Sequence, residues 1–257
     1  MNAYQSKTSF NVGPMSSALG SFRHFVFVAL LASLMVNLLP AAEPNAKTGQ
    51  PGAAAKAVRG PERWENTIKK FETTDAAMPP PKGVVLLIGG SNARRWTDVD
   101  DYFPKNRVIN RGFGGARLTD ILHFADRIVL PYAPKTILLN AGGNDLSSGK
   151  SPEQVRDTAR AISAKVHATL PDTRIYHIGL PHVLRASNSP ELLAVIREMN
   201  GLLAELAQTE KNFEYIDLFE AFLDDTGQPR PDLFVQDGTH FSRKGYDVLA
   251  GILRGKF

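Results

Sequence analysis

The chain of 257 residues is long enough to bury a substantial core, and 43% of its residues are hydrophobic. Its formal charge is only +4, and no stretch concentrates basic and aromatic residues, which argues against a nucleic-acid-binding protein. Cysteine is absent, which excludes disulfides, a thiolate nucleophile and cysteine-based metal sites.

The N-terminal residues 1–42 have the pattern of a secretory signal peptide. They contain Lys7 and Arg23 but no acidic residue, and an apolar run is followed by small residues near Ala42. The apolar run is shorter than the ~20 residues that span a bilayer, although an uncleaved membrane anchor stays an alternative. We therefore predict a secreted or periplasmic protein. Residues 43–60, rich in Ala, Pro, Gly and Lys, predict a flexible linker before a domain over 61–257.

From residue 61 onward, apolar runs alternate with segments of helical periodicity. Trp64, Ile68 and Phe71 share one face of a first predicted helix over 61–72. The other predicted elements are strands at 84–88, 107–110, 136–142, 174–180 and 213–218, and helices at 117–129, 152–170, 190–208 and 242–253. Strands that are apolar on both faces predict an α/β fold. We expect a single three-layer domain, with a central parallel sheet of about five strands and helices on both faces.

Three consecutive predicted strands are followed by glycines and small polar residues. They are residues 89–92 (Gly-Gly-Ser-Asn), the glycine-rich segment 112–116, and residues 142–145 (Gly-Gly-Asn-Asp). Ligands of open parallel sheets bind beyond the carboxyl ends of the strands. Glycines permit close backbone approach, and free N–H groups at helix starts stabilise anions. This edge of the sheet therefore has the ingredients of an oxyanion hole.

The segment before the last predicted helix offers a base and an acid. Asp237 and His240 are three residues apart, so a tight turn brings the carboxylate beside the imidazole and lets it fix the tautomer and orientation of the ring. Together with Ser91 they would form a catalytic triad. Asp120 and His123 have the same spacing but lie within a predicted amphipathic helix, so we interpret them as structural residues.

These sequence blocks, in this order, resemble those of the SGNH, or GDSL-type, hydrolases, a family of esterases and lipase-like enzymes with a flavodoxin-like fold. The resemblance covers the chain from about Trp64 to the C-terminus. It implies that Ser91 is the nucleophile and that Asp237 and His240 are its partners. Position 90 departs from the family, since Gly90 stands where an acidic residue is usual.

The resemblance also implies an oxyanion hole. Its donors would be the backbone N–H groups of Ser91 and Gly115 and the side-chain amide of Asn144, with Gly114 as a rival to Gly115. The implied reaction is hydrolysis of carboxylic esters through an acyl-serine intermediate. No long apolar lid segment separates the predicted strands in the sequence, which favours short acyl groups such as acetyl over long lipid chains. The substrate would be a small-molecule, glycan or lipid ester.

Further residues near the strand ends are candidates for lining the substrate pocket: Asn92, Arg94, Gly114 and His182. For His182 a surface loop is an alternative. Four arginines in this region would favour an anionic substrate, at positions 94, 95, 111 and 117. His177 lies within an apolar strand and is interpreted as a hydrogen-bonded core histidine.

Two other functions compete with this interpretation. Gly89-x-Ser91-x-Ala93 approximates the nucleophile elbow of α/β-hydrolases, although the acid three residues before the histidine argues against that fold. A non-catalytic carbohydrate- or lipid-binding module would retain the same sheet and pocket. No metal-ligand spacing is present, and neither a metal nor another cofactor is expected.

Overall fold

The computed structural model describes residues 60–257. The predicted signal peptide (1–42), and the predicted linker (43–60) except for Gly60, lie outside the described residues. Within the described part of the chain, no helix is both long enough and apolar enough to cross a bilayer.

Five strands form one all-parallel sheet, as predicted. They are β1 (Val85–Gly89), β2 (Val108–Asn110), β3 (Thr136–Asn140), β4 (Arg174–Ile178) and β5 (Phe213–Ile216), in the order β2-β1-β3-β4-β5. The last three strands end two residues earlier than predicted. The apolar runs continue past the strands because residues such as Leu218 stay buried after strand pairing has ended.

The helices cover both faces of the sheet. They are α1 (Glu65–Ala77), α2 (Ser91–Arg95), α3 (Val99–Tyr102), α4 (Leu118–Ile128), α5 (Gly143–Ser147), α6 (Pro152–Thr169), α7 (Pro190–Thr209) and α8 (Arg243–Leu253). The first predicted helix begins as a 3-10 turn, Pro61–Trp64, and α1 then continues five residues beyond its predicted end. The short helices α2, α3 and α5 were not predicted, because four or five residues are too few to show a helical period.

Alternate residues of β1 point into two separate cores. Leu86 and Ile88 pack with α1, α4, α6 and α7, whereas Val85 and Leu87 pack on the opposite side with α8. Successive side chains of a strand face opposite sides of the sheet, so a strand covered on both faces must be apolar throughout. The predicted three-layer α/β fold is confirmed.

The strand order places two of the polar segments side by side. In a sheet of order 2-1-3-4-5, the topological switch point lies between β1 and β3, and ligands bind beyond the carboxyl ends of these strands. The two ends are joined directly, since the Gly90 N–H donates to the Asn140 carbonyl at 3.0 Å. Ser91 and Asn144 therefore lie in the first turns of neighbouring short helices at one edge of the sheet.

Candidate active site

The structure brings Ser91, His240 and Asp237 into one hydrogen-bonded row. Ser91 is the first residue of α2, and its Oγ lies 2.7 Å from His240 Nε2. The other ring nitrogen, Nδ1, lies 2.6 Å from Asp237 Oδ2. A serine hydroxyl bonded to an imidazole, which is in turn bonded to a carboxylate, is the arrangement in which the imidazole can take the hydroxyl proton.

The loop that carries the acid and the base is organised around the Asp237 carboxylate. Its Oδ1 accepts the backbone N–H groups of His240 and Thr239, both at 2.9 Å. The His240 N–H, the His240 ring and the Thr239 N–H together hold the pKa of Asp237 well below its usual range. The carboxylate therefore stays ionised and keeps Nε2 of the imidazole turned toward Ser91.

Asn92 connects the nucleophile to this loop. Its side-chain Oδ1 accepts the Phe241 N–H at 3.1 Å, and its backbone carbonyl accepts the Tyr246 hydroxyl at 2.8 Å. Asn92 also lines the cavity beside Ser91, as the sequence suggested. These two contacts with a segment far away in the sequence give Asn92 a positioning role, which the sequence did not indicate.

Asn144, the second residue of α5, presents its side-chain amide beside Ser91. Its Nδ2 donates to the Ala116 carbonyl at 3.0 Å. An amide nitrogen carries two hydrogens, so one fixes the group while the other is available to a substrate oxygen. Gly115 lies in the turn before α4 with a φ of +84°, a conformation that side chains other than glycine's rarely adopt.

Gly90 explains how the amide can come so close to the nucleophile. A Cβ at position 90 would lie 2.8 Å from Asn144 Nδ2 and 3.3 Å from the Ala116 oxygen. Any larger residue must displace one of these groups. Glycine at position 90 therefore leaves room for the Asn144 amide as well as for the turn.

Asp145 holds two loops of the site together. Its carboxylate is fully buried and accepts the Leu118 N–H at 2.9 Å and the Lys150 ammonium at 3.1 Å. Burial raises the pKa of Asp145, while the Leu118 N–H and Lys150 oppose that shift. This role of Asp145 was not predicted from the sequence. Residues 144 and 145 in fact bond to 116 and 118, and so join α5 to the start of α4.

A cavity of about 420 Å³ opens beside the triad. Ser91, His240, Asp237 and Asn144 line one part of it. Its apolar wall comes from α5, the segment after β4, and α7: Leu146, Leu180, Pro181, Val183, Leu192 and Ile196. These residues were not predicted as site residues, because in the sequence they cannot be distinguished from ordinary core positions.

None of the four arginines expected to favour an anionic substrate, at positions 94, 95, 111 and 117, lines the cavity. Arg111 pairs with Asp75 and donates to the Tyr132 hydroxyl, and Arg117 pairs with Asp120. The ion pairs of Arg111 and Arg117 connect the loop after β2 to α1 and α4. The expectation that these two arginines favour an anionic substrate was therefore wrong.

Arg94 and Gly114 also lie outside the cavity lining, contrary to the sequence expectation, and Gly115 is not among the lining residues either. A Cβ on Gly114 would lie 2.6 Å from Arg94 Nε, so the exposed arginine covers this glycine in the turn before α4. Gly114 thus faces Arg94, whereas Gly115 faces Trp64, whose ring is 3.5 Å from a Cβ built there.

His182 is neither in the cavity nor on a surface loop. It is buried, and its ring stacks on Phe219 with centroids 5.6 Å apart. Its neighbours Pro181 and Val183 face the cavity, so the alternation of the extended chain turns His182 the other way. Burial and the charge of Arg197 lower its pKa.

The remaining histidine interpretations are confirmed. His177 is fully buried in β4, and its Nε2 donates to the Ala141 carbonyl at 3.1 Å. Burial lowers the pKa of His177 to about 4. Asp120, in the second Asp-x-x-His pair, is buried and accepts hydrogen bonds from Arg63, Trp64 and the Arg117 N–H, which is a structural role.

The sequence matches a known family over most of the domain. The profile of the GDSL-like lipase/acylhydrolase family matches residues 90–248, which include every member of the triad. The chain belongs to this family. It is therefore an ester hydrolase, and the sequence resemblance to GDSL-type enzymes is confirmed. The α/β-hydrolase alternative falls with this assignment. No curated protein sequence matches this GDSL hydrolase significantly.

Solved structures support the fold of this GDSL hydrolase. A protein assigned as a platelet activating factor from Streptococcus pneumonia is 22% identical, with a TM-score of 0.66, over 76% of this chain and 93% of that one. A GDSL-like lipase from Bacteroides thetaiotaomicron is 19% identical, with a TM-score of 0.59, over 74% and 96% of the two chains. A catalytic mutant of an acetylxylan esterase from Geobacillus stearothermophilus is 17% identical, with a TM-score of 0.56, over 68% and 94%.

Proposed function

We propose that the protein is a serine esterase that hydrolyses carboxylic esters with short acyl groups through an acyl-serine intermediate. The observation that carries this proposal is the row Ser91–His240–Asp237, with contacts of 2.7 and 2.6 Å. The row opens into a cavity that Asn144 also lines.

The arrangement supports a two-step reaction. His240 Nε2 accepts the proton of Ser91 Oγ as that oxygen attacks the ester carbonyl, and the N–H groups of Ser91 and Gly115 and the amide of Asn144 stabilise the oxyanion. The imidazolium then donates its proton to the leaving alcohol, which leaves an acyl-serine. Water, deprotonated by the same imidazole, attacks the acyl carbon and releases the acid and the free serine.

The size of the cavity favours small substrates. Its volume of about 420 Å³ lies in the lower part of the range of small-ligand sites, roughly 300–1,000 Å³. We therefore expect an acetyl group on a sugar unit, or a short acyl chain, to fit better than a palmitoyl chain. An acylated carbohydrate or a small lipid ester therefore fits, and the acetylxylan esterase among the structural neighbours is consistent with acetylated sugars.

The place of action follows from the sequence. The signal-peptide pattern of residues 1–42 supports secretion or export to the periplasm, where glycan and lipid esters are accessible. An uncleaved signal anchor would hold the same enzyme at the membrane.

A chain-length series tests the proposal. We expect wild-type protein to hydrolyse 4-nitrophenyl acetate and hexanoate well and the palmitate poorly, and Ser91→Ala to lower these rates by at least about a thousandfold. Ser187→Ala, an exposed serine near the cavity, is the matched control and should retain full activity. Circular dichroism should show an unchanged fold. Hydrolysis by Ser91→Ala at the wild-type rate would contradict the proposal.

A further inference from the structure

We propose that Arg185 is a specificity residue that binds a carboxylate carried by the ester substrate. This inference rests on the proposed esterase function, and it identifies carboxylate-bearing esters as the class of substrate that the enzyme hydrolyses best. Arg185 lines the cavity beside Ser91, and it was not predicted from the sequence as a site residue.

Arg185 spans the two sides of the cavity. The preceding residue, Leu184, donates its N–H to the Gly238 carbonyl at 2.9 Å, which attaches this segment to the loop of the catalytic acid and base. The Arg185 guanidinium reaches Ser147, at the end of α5, with Nη2 3.5 Å from the serine Oγ. Both side chains line the cavity that holds Ser91.

No carboxylate among residues 60–257 forms an ion pair with Arg185, whose side chain hydrogen-bonds there to Ser147. The acidic group of the cavity, Asp237, already accepts hydrogen bonds from the His240 ring and from two backbone N–H groups of its own loop. Arg111 and Arg117, by contrast, are paired with aspartates.

The chemistry of this corner fits a carboxylate. Guanidinium presents a planar fork of N–H donors that matches the two oxygens of a carboxylate. The long contact between Arg185 and Ser147 is easily exchanged for a substrate group, and the Ser147 hydroxyl can then donate to the same group. Arg185 itself is exposed at the mouth of the cavity, where a substrate carboxylate can reach it, and apolar residues such as Leu146 and Val183 line the cavity beside it.

The carboxylate can belong to the acyl part or to the alcohol part of the ester, and two matched substrate pairs distinguish them. For the acyl part, mono-(4-nitrophenyl) adipate is compared with its methyl ester. For the alcohol part, 4-acetoxybenzoate is compared with methyl 4-acetoxybenzoate. Each pair differs in one charge and preserves the scissile bond.

We expect the wild-type enzyme to prefer the anionic member of one pair by about tenfold or more in kcat/KM, the scale of one charge-assisted hydrogen bond. Arg185→Gln should abolish that preference through a higher KM for the anionic ester, with unchanged turnover of the neutral one. Arg185→Lys should retain part of it, and added salt should weaken it. Arg254→Gln removes the same charge at the far end of α8, about 16 Å from its start, and should change nothing.

Equal preference in wild type and Arg185→Gln, or no preference in either pair, would overturn the assignment of Arg185 while leaving the esterase intact. Failure to hydrolyse any of the four esters would overturn the proposed esterase function, and the assignment of Arg185 with it.

Discussion

In the proposed mechanism, the side-chain amide of Asn144 has two tasks. One of its N–H groups donates to the Ala116 carbonyl at 3.0 Å, which sets the position of the nitrogen. The other N–H would donate to the oxyanion that forms on the substrate. A donor that is already oriented requires little reorganisation in the transition state, which is why such groups contribute strongly to rate.

Removing this donor should slow the chemical step. We expect Asn144→Ala to lower kcat by about a hundredfold or more, since one oxyanion donor contributes on the order of 3 kcal/mol, with a smaller change in KM. Steady-state kinetics on 4-nitrophenyl acetate provide the measurement. Asn188→Ala, an exposed asparagine, is the control. A kcat within twofold of wild type in Asn144→Ala would remove this residue from the oxyanion hole.

Gly90 limits what can stand before the nucleophile. A Cβ there would approach Asn144 Nδ2 to 2.8 Å, so Gly90→Ala should displace the amide and lower kcat by about tenfold to a hundredfold, part of the value of that donor. Gly201→Ala is the matched control, because nothing lies within 4 Å of a Cβ at that position of α7. Unchanged kinetics in Gly90→Ala would show that the contact is relieved without cost.

At the scale of elements, the short helix α5 is fixed to the rest of the site by Asp145. The buried carboxylate satisfies the Leu118 N–H at the start of α4 and the Lys150 ammonium. Helix α5 carries Asn144, and the turn before α4 carries Gly115. The Asp145 contacts therefore set the distance between two of the proposed oxyanion donors.

Loss of this contact should destabilise the protein. Asp145→Ala removes the partner of the buried Leu118 N–H and the only carboxylate paired with Lys150 among the described residues, which leaves the ammonium with the Thr119 hydroxyl alone. We expect a decrease of about 3 kcal/mol in the free energy of unfolding. Urea denaturation measures this decrease. Asp225→Ala changes an exposed aspartate and should have little effect. Equal stability of the two variants would mean that Asp145 does not hold the elements together.

The elements also show what the sequence could predict. The long helices α6 and α7 were located to within one residue at each end, because their apolar positions repeat over five turns and Pro and Ser mark their starts. Helix α5 was missed because it has only five residues. The triad was predictable because Asp237 and His240 share a local turn. The cavity wall was not, since the orientation of residues such as Ile196 depends on tertiary packing.

At the scale of the whole molecule, the order of the strands assembles the site. The sequence predicted five parallel strands, but not that β3 would pair with β1 on the side opposite β2. That pairing places residues 91 and 144 at adjacent strand ends. The loop before α8 then brings His240 to Ser91 across 149 positions of the chain.

The buried His177 should make the stability of the fold depend on pH. Burial lowers the pKa of His177 to about 4 from its usual value of about 6.5, so below about pH 6.5 the unfolded chain takes up a proton that the folded chain excludes. The stabilising contribution is complete above pH 6.5 and is lost as the pH falls toward 4, by up to about 3 kcal/mol.

Urea denaturation between pH 7 and 4 tests this, with His177→Gln as the comparison. The free energy of unfolding of the variant should fall less steeply with decreasing pH than that of wild type. The difference in slope should correspond to the uptake of at most one proton on unfolding. Parallel pH profiles would contradict the role of His177.

The central claim is that Ser91, activated by His240, is the nucleophile. Its most direct test is labelling with a fluorophosphonate, followed by mass measurement of the intact protein and mapping of the modified peptide. We predict one adduct, on Ser91, in the wild-type protein, none in Ser91→Ala, and much slower formation in His240→Ala. A wild-type protein that gains no adduct, or that carries it on another residue, would contradict the account.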